Sequence, residues 1–299
     1  MKRLLLRLCL FLSLALSLTG CIDDDISNCP VGIRVYFTYE TTYAGTDIDP
    51  SAIERMNLYV FDAGGILRAV VQDSDPDISA DYYMTVPSLS AGNYRFAAWG
   101  NLYGCFSTVP AVFTVGQTTF EEARLAFAHT DEAPVISQPL FFAHLPAAKV
   151  TTEREQRFYL PLEQTVNTVN LTTEGLPVNE NSYRLRIKDN NGAYTFDHSF
   201  ASDSEFTYTS LCDKDAGGQP KATLTVLKLG AGRHPVIELT DMTTQTVRYT
   251  GDLVELLDAR GVDYRTQHVF DIHLKFSTTS NVEVIIDGWQ VTEGGFILK

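Results

Sequence analysis

Phe270-Asp271-Ile272-His273-Leu274-Lys275-Phe276-Ser277 puts Phe270, Ile272, Leu274 and Phe276 on one face of an extended chain and Asp271, His273, Lys275 and Ser277 on the other. Successive side chains of a pleated backbone point to opposite faces, so a period of two held over eight residues reads as a half-buried strand. Working outward, the same alternation sets Val282, Val284 and Ile286 against Asn281, Glu283 and Asp287. It sets Tyr183, Leu185 and Ile187 against Arg184, Arg186 and Lys188, and Tyr94, Phe96 and Ala98 against Asn93 and Arg95. Nearest the start, Ile33, Val35, Phe37 and Tyr39 oppose Arg34, Tyr36, Thr38 and Glu40. Glycine-rich turns separate such runs: Ala63-Gly64-Gly65, Ala91-Gly92-Asn93, Asn190-Asn191-Gly192, Gly217-Gly218 and Gly230-Ala231-Gly232.

Many short strands with frequent turns predict an all-β chain of sandwiches rather than alternating strands and helices. Asn190-Asn191-Gly192 is the strongest hairpin signal, since Asn and Gly tolerate the positive φ of tight hairpin turns. Helix signals are sparse. Asp252–Arg260 reads as one short helix with Asp252 as cap and Gly261 as stop, and Glu121–Ala128 reads equally as helix or strand. The polar stretch Thr151–Arg157 predicts a boundary between an N-terminal sandwich, residues 31–155, and a C-terminal sandwich, residues 156–299, each of a size that suits one sandwich.

The chain has 299 residues, 44% apolar and 20% charged, enough to bury a core, and a formal charge of −14. That charge argues against nucleic acid as a partner. Lys2, Arg3 and Arg7 followed by the apolar run Leu8–Leu18 form a secretory signal peptide, residues 1–20, too short to span a bilayer comfortably. It ends in Leu18-Thr19-Gly20-Cys21, which resembles a bacterial lipobox and implies cleavage before Cys21 and lipidation there. Cleavage removes three basic residues and no acidic one, taking the charge from −14 to −17. Residues 21–30 are then a lipidated tether. Its Asp23-Asp24-Asp25 is either a solvated spacer or, as the acidic run after the lipidated Cys in Bacteroidetes-type lipoproteins implies, a signal for export to the outer face of the outer membrane. Cys29, Cys105 and Cys212 remain, and they form at most one disulfide in an exported chain or stay as small buried thiols.

Chemistry-bearing patterns are scarce. There is no Gly-x-Ser-x-Gly elbow, His-Glu-x-x-His pair or glycine-rich phosphate loop. His268 and His273 are five apart and point to opposite faces of a strand. Asp73-x-Asp75-x-Asp77 begins like a calcium loop, but Ile78 stands where Gly is needed and Met84 where Glu is needed. Trp99 and Trp289 read as aromatics packing over a sandwich edge rather than as a sugar platform.

In chain order, the lipobox Cys21 and its acidic run precede Cys29-Pro30 and the strand Val31-Gly32-Ile33-Arg34-Val35-Tyr36-Phe37. Met56-Asn57-Leu58-Tyr59-Val60-Phe61-Asp62-Ala63-Gly64-Gly65-Ile66-Leu67 and Leu89-Ser90-Ala91-Gly92-Asn93-Tyr94-Arg95-Phe96-Ala97-Ala98-Trp99-Gly100-Asn101 follow. The series resembles the FimB-type fimbrial anchor subunits of Bacteroidetes, lipoproteins that partner the fimbrillin shaft subunits. The resemblance implies two tandem transthyretin-like β-sandwich domains, and a structural rather than enzymatic role with no cofactor. It also implies a lipid anchor in the outer membrane at the cell surface, and a place in a fimbrium that serves cell adhesion. In that class shaft subunits lose an N-terminal strand by proteolysis, whereas an anchor that was cut at Arg34 would lose its lipid, so the Ile33–Tyr39 strand is expected to stay. The tail Trp289, Val291, Phe296 and Leu298 is the expected partner strand, either donated to the shaft or kept as the last strand of the second sandwich. Two other functions compete: a surface glycan-binding lipoprotein, and a fimbrial tip or accessory adhesin of the same family.

Overall fold

The alternating runs become strands where one or both faces find an apolar partner. The structure, a computed structural model, describes residues 32–39, 52–79, 81–153, 155–177, 182–264, 266–277, 282–292 and 296–298. The signal peptide, the tether with Cys21 and Asp23–Asp25, and Cys29 lie outside the described residues.

The first half contains β1 (Gly32–Tyr39), β2 (Met56–Asp62), β3 (Leu67–Asp73), β4 (Tyr83–Val86), β5 (Gly92–Gly100), β8 (Phe141–Val150) and β9 (Glu155–Gln164), with β6 (Phe106–Val109) and β7 (Arg124–Phe127) as an excursion. Seven strands make one sheet in the order β3-β2-β5-β8-β9-β1-β4. β8 and β9 pair only from Phe141 to Ala143, against Leu162 to Gln164. Beyond that corner they part, and the sheet folds into the two layers β3-β2-β5-β8 and β9-β1-β4. Ile33, Val35 and Phe37 of β1 pack between them with Leu58, Phe96 and Leu160.

The second half contains β10 (Val166–Glu174), β11 (Tyr183–Asp189), β12 (Ala193–Thr195), β13 (Phe206–Leu211), β14 (Asp213–Lys214), β15 (Pro220–Leu227), β16 (Val236–Asp241) and β17 (Thr246–Asp252). Helix α1 (Leu253–Arg260) follows, then β18 (Val269–Phe276), β19 (Val282–Ile286), β20 (Trp289–Thr292) and β21 (Phe296–Leu298). One layer is β13-β11-β16-β17, and the other is β14-β15-β10-β18-β19-β20-β21. The chain is all-β in two tandem sandwich units, as read from the sequence. The expected helix forms: Asp252 accepts a hydrogen bond from the Glu255 N–H, and Gly261 ends α1 at φ 76°, a left-handed conformation that costs a residue without Cβ little. Residues 124–127 of the ambiguous Glu121–Ala128 stretch are strand.

Two expectations need correction. The boundary is not at 155/156. β9 runs parallel to β1 from Glu155 to Leu162 and closes the first sandwich, so the passage to the second unit is at Thr165. The polar Thr151–Glu153 stretch is the exposed turn from β8 into β9, and polarity marks an exposed turn equally well inside a domain. The Asn190–Gly192 hairpin also does not form. β11 pairs with β13 and β16, while β12 crosses over to pair with β7 of the first half. Asn191 is wholly buried, where it donates to the Lys228 carbonyl and accepts from the Tyr208 hydroxyl. A Cβ on Gly192 would run into Asp203 Oδ2. The turn residues here serve a buried crossover.

The halves share a core. β2 is buried on both faces: Met56, Leu58 and Val60 enter the first sandwich, while Tyr59 and Phe61 face the second cluster. Trp99, fully buried, lies 4.6 Å from the Phe142 ring and 6.2 Å from the Phe196 ring by centroids. Phe196 also meets Tyr59 and Phe113, so one aromatic from the second half plugs the back of the first sheet. Cys105 and Cys212 are free, half-buried thiols, and burial raises both pKa values, that of Cys212 to about 11.

Candidate functional site

Three features bear on function: the seating of the first strand, the joint between the halves and the C-terminal edge.

β1 is an interior strand. It pairs parallel with β9 along all eight residues and antiparallel with β4 from Ile33 to Tyr36. Both pairings are reinforced on the solvent side. Tyr36 stands between Tyr83 and Tyr159, each with its ring centroid 5.3 Å away, in a cross-strand row. The Arg34 guanidinium sits 4.8 Å from the Tyr83 ring centroid and 3.3 Å from Glu155 Oε1, which Arg157 also contacts at 2.8 Å. The Arg157 hydrogen bond, with the Arg34 charge, holds the Glu155 carboxyl below its ordinary range. Removing β1 would leave an open groove between β9 and β4.

At the joint, Glu163 of β9, Thr165, and Asn167 of β10 meet His198, Lys228 and His268. Lys228 Nζ lies 3.3 Å from His198 Nδ1 and from the His198 carbonyl. Glu163 Oε2 is 3.5 Å from the same Nδ1, and Thr165 Oγ1 is 3.2 Å from Nε2. Nδ1 therefore accepts from the ammonium or donates to the carboxylate according to tautomer, and the Thr165 hydroxyl serves Nε2 in either case. Burial drives the His198 pKa down to about 4, and it lowers those of Lys228 and His268 as well. The His198 contact holds Glu163 low. Asn167 Oδ1 accepts from the Leu229 N–H at 2.9 Å. Scattered over more than a hundred residues, these groups carry no spacing signal.

The expected tail residues fall on two paired strands. β20 continues the sheet from β19, with Trp289 opposite Ile286 and Val291 opposite Val284. β21 pairs with β20, with Phe296 opposite Thr292 and Leu298 opposite Gln290, and it ends the sheet. The structure thus gathers Trp289, Val291, Phe296 and Leu298 into adjoining strands of one meander. Trp99, the other tryptophan, belongs to the shared core and offers no exposed platform. Asp73 accepts from the Tyr82 hydroxyl and the Asp75 N–H. Among the described residues no cluster of three or more His, Cys, Asp or Glu has metal-holding geometry.

Two tandem sandwiches with an interior first strand and a strand-built C-terminal edge can now be set beside known proteins. A family model described as Mfa2, fimbrillin-A associated anchor proteins Mfa1 and Mfa2, matches residues 26–293. The chain belongs to this family. It is 25% identical over 311 aligned positions to the minor fimbrium anchoring subunit Mfa2 of Porphyromonas gingivalis, covering 97% of this chain and 95% of that one. Among solved structures, the fimbrial anchor protein Mfa2 from Porphyromonas gingivalis superposes with a TM-score of 0.76 at 25% identity, over 88% of this chain and 99% of that chain. A Bacteroides thetaiotaomicron protein shares the fold, with a TM-score of 0.76 at 18% identity over 89% of this chain and 99% of that chain. The sequence-level resemblance to fimbrial anchor subunits is thereby shown.

Proposed function

We propose that this chain is the lipid-anchored subunit that fixes a fimbria in the outer membrane: Cys21 carries the lipid, Asp23–Asp25 direct export to the surface, and the C-terminal strands meet the shaft. It is a structural subunit without catalysis. The observation that carries this reading is the seating of β1. Cys21 lies eleven residues before Gly32, a reach of about 40 Å at most when extended. A pull on the lipid is therefore transmitted to the first residue of a strand bonded on both sides. Load along such a strand strains many main-chain hydrogen bonds together rather than one at a time, which suits a tether that must not slip. At the other end of the chain, β21 ends its sheet, and a terminal strand at an edge is suited to strand addition, where main-chain bonds supply affinity and side-chain pockets specificity.

Cys21→Ala is expected to release the protein, with any fimbria built on it, into the medium. Retention of that variant in the membrane fraction would overturn the anchor. A cell-bound form whose sequence began after Arg34 would show that β1 is lost, against the proposal. Deleting residues 293–299 is expected to leave a folded protein that no longer holds the shaft, and normal, firmly attached fimbriae on cells with the deletion would end the role of the tail.

A further inference from the structure

A cleft of about 620 Å³ opens on the first half, on the side of β2 away from its own sandwich core. Asn57 and Tyr59 of β2 line it, with Val70 and Gln72 from β3 and Phe106 and Thr108 from β6. Four features characterise it. β3 ends the first sheet and β6 ends the sheet β12-β7-β6, so strands at sheet ends wall it on two sides, and among the described residues β6 pairs only with β7. Asn57 is more than nine-tenths buried, yet its carboxamide has no hydrogen-bond partner among the described residues; it stands in register with Gln72, which carries a second carboxamide. The chain from the end of β6 onward leaves Val109, Val112 and Val115 exposed, and Val112, 75% exposed, lines the cleft. No charged residue lines the cleft, on a chain of net charge −14.

A carboxamide in the wall of a cleft with no protein partner offers the donor and acceptor that a peptide group matches. An open strand edge supplies the same pairing repeatedly along an extended chain. Exposed valines lose contact with water when apolar side chains cover them, whereas they have nothing to offer the hydroxyls of a sugar. We propose that this cleft binds an extended, uncharged, apolar-rich segment of a partner protein, added as a strand along β6 with its backbone gripped by Asn57 and Gln72. The site is separate from the C-terminal edge and stands independently of the lipid anchor.

The test uses the full-length protein in detergent and a dye-labelled, end-capped hexapeptide of alternating Val and Thr, followed by fluorescence anisotropy. The peptide is expected to bind. Val112→Asp, at an exposed side chain, and Gln72→Ala are each expected to weaken binding roughly tenfold or more with unchanged thermal melting. The same peptide methylated on alternate backbone nitrogens is expected not to bind. Absence of binding by the unmodified peptide, equal binding of the methylated one, or equal binding to Val112→Asp would overturn the proposal. So would binding of neutral maltoheptaose with none of the peptide.

Discussion

The two halves are built on one plan. In the first, β1 lies between β9, parallel, and β4, antiparallel; in the second, β10 lies between β18, parallel, and β15, antiparallel. The layer β3-β2-β5-β8 has its counterpart in β13-β11-β16-β17. The difference lies at one connection. β8 turns into β9 past Thr151–Glu153 and keeps hold of it at the corner, so the layers remain one sheet. β17, the counterpart of β8, runs instead into α1, and the edge of β18 that β17 would have covered goes to β19, with β20 and β21 beyond. A short helical insertion in the second unit thus leaves a sheet edge to be filled by the end of the chain. The place where a partner strand is expected is the place where the two halves differ.

The comparison breaks if the halves unfold separately, and the largest effect tests this. Trp99→Ala removes the side chain that joins Phe142 of the first half to Phe196 of the second, and is expected to cost about 3–5 kcal/mol. Urea unfolding followed by far- and near-ultraviolet dichroism should show one transition in both proteins, moved to lower urea in the variant. Two separated transitions in the unsubstituted protein would mean that each half stands alone.

The next effect concerns the joint. His198 has a pKa near 4 in the native protein against its ordinary 6.5. Between those values the unfolded chain binds a proton that the native chain does not, so stability falls as pH drops from about 6.5 to about 4, by about 3 kcal/mol in all. Urea midpoints across that range should fall accordingly, and His198→Gln should flatten the dependence. An unchanged slope in the variant would place the acid sensitivity elsewhere.

The smallest effect sharpens the difference itself. Asp252→Ala removes the cap of α1, which among the described residues has no helical counterpart in the first half, at an expected cost of about 1 kcal/mol. Hydrogen exchange should rise in α1 and the strands beside it while β1 and β9 keep their protection. Faster exchange throughout both halves would show that the helix supports the joint as well.

How much of this was legible beforehand follows from the range of the interactions. Period-two alternation identified β1, β5, β11, β18 and β19, because a strand with one face in a core writes that face into its own residues. Capping identified α1, because both signals, Asp252 and Gly261, lie within a turn of the helix they delimit. The anchor family was legible in local motifs of the first half. The shared core was less so: β2, and β5 over its last part Phe96–Trp99, are near-continuous apolar runs because both faces are covered there, and the sequence does not say by what.

The tail forms strands as its alternation suggested, but its position beside β19 depended on what β17 did 37 residues earlier in the chain. The Asn191–Gly192 crossover, the unpaired Asn57 carboxamide and the joint around His198 had no sequence signal of their own. Each depends on residues brought together from separate segments of the chain. Local chemistry therefore determined the strands, the helix and the family of this protein, since alternation, capping and turn preferences act between near neighbours. The tertiary structure alone decided where one half ends, which edges stay open and which polar groups are buried, since those depend on packing between segments that no spacing relates.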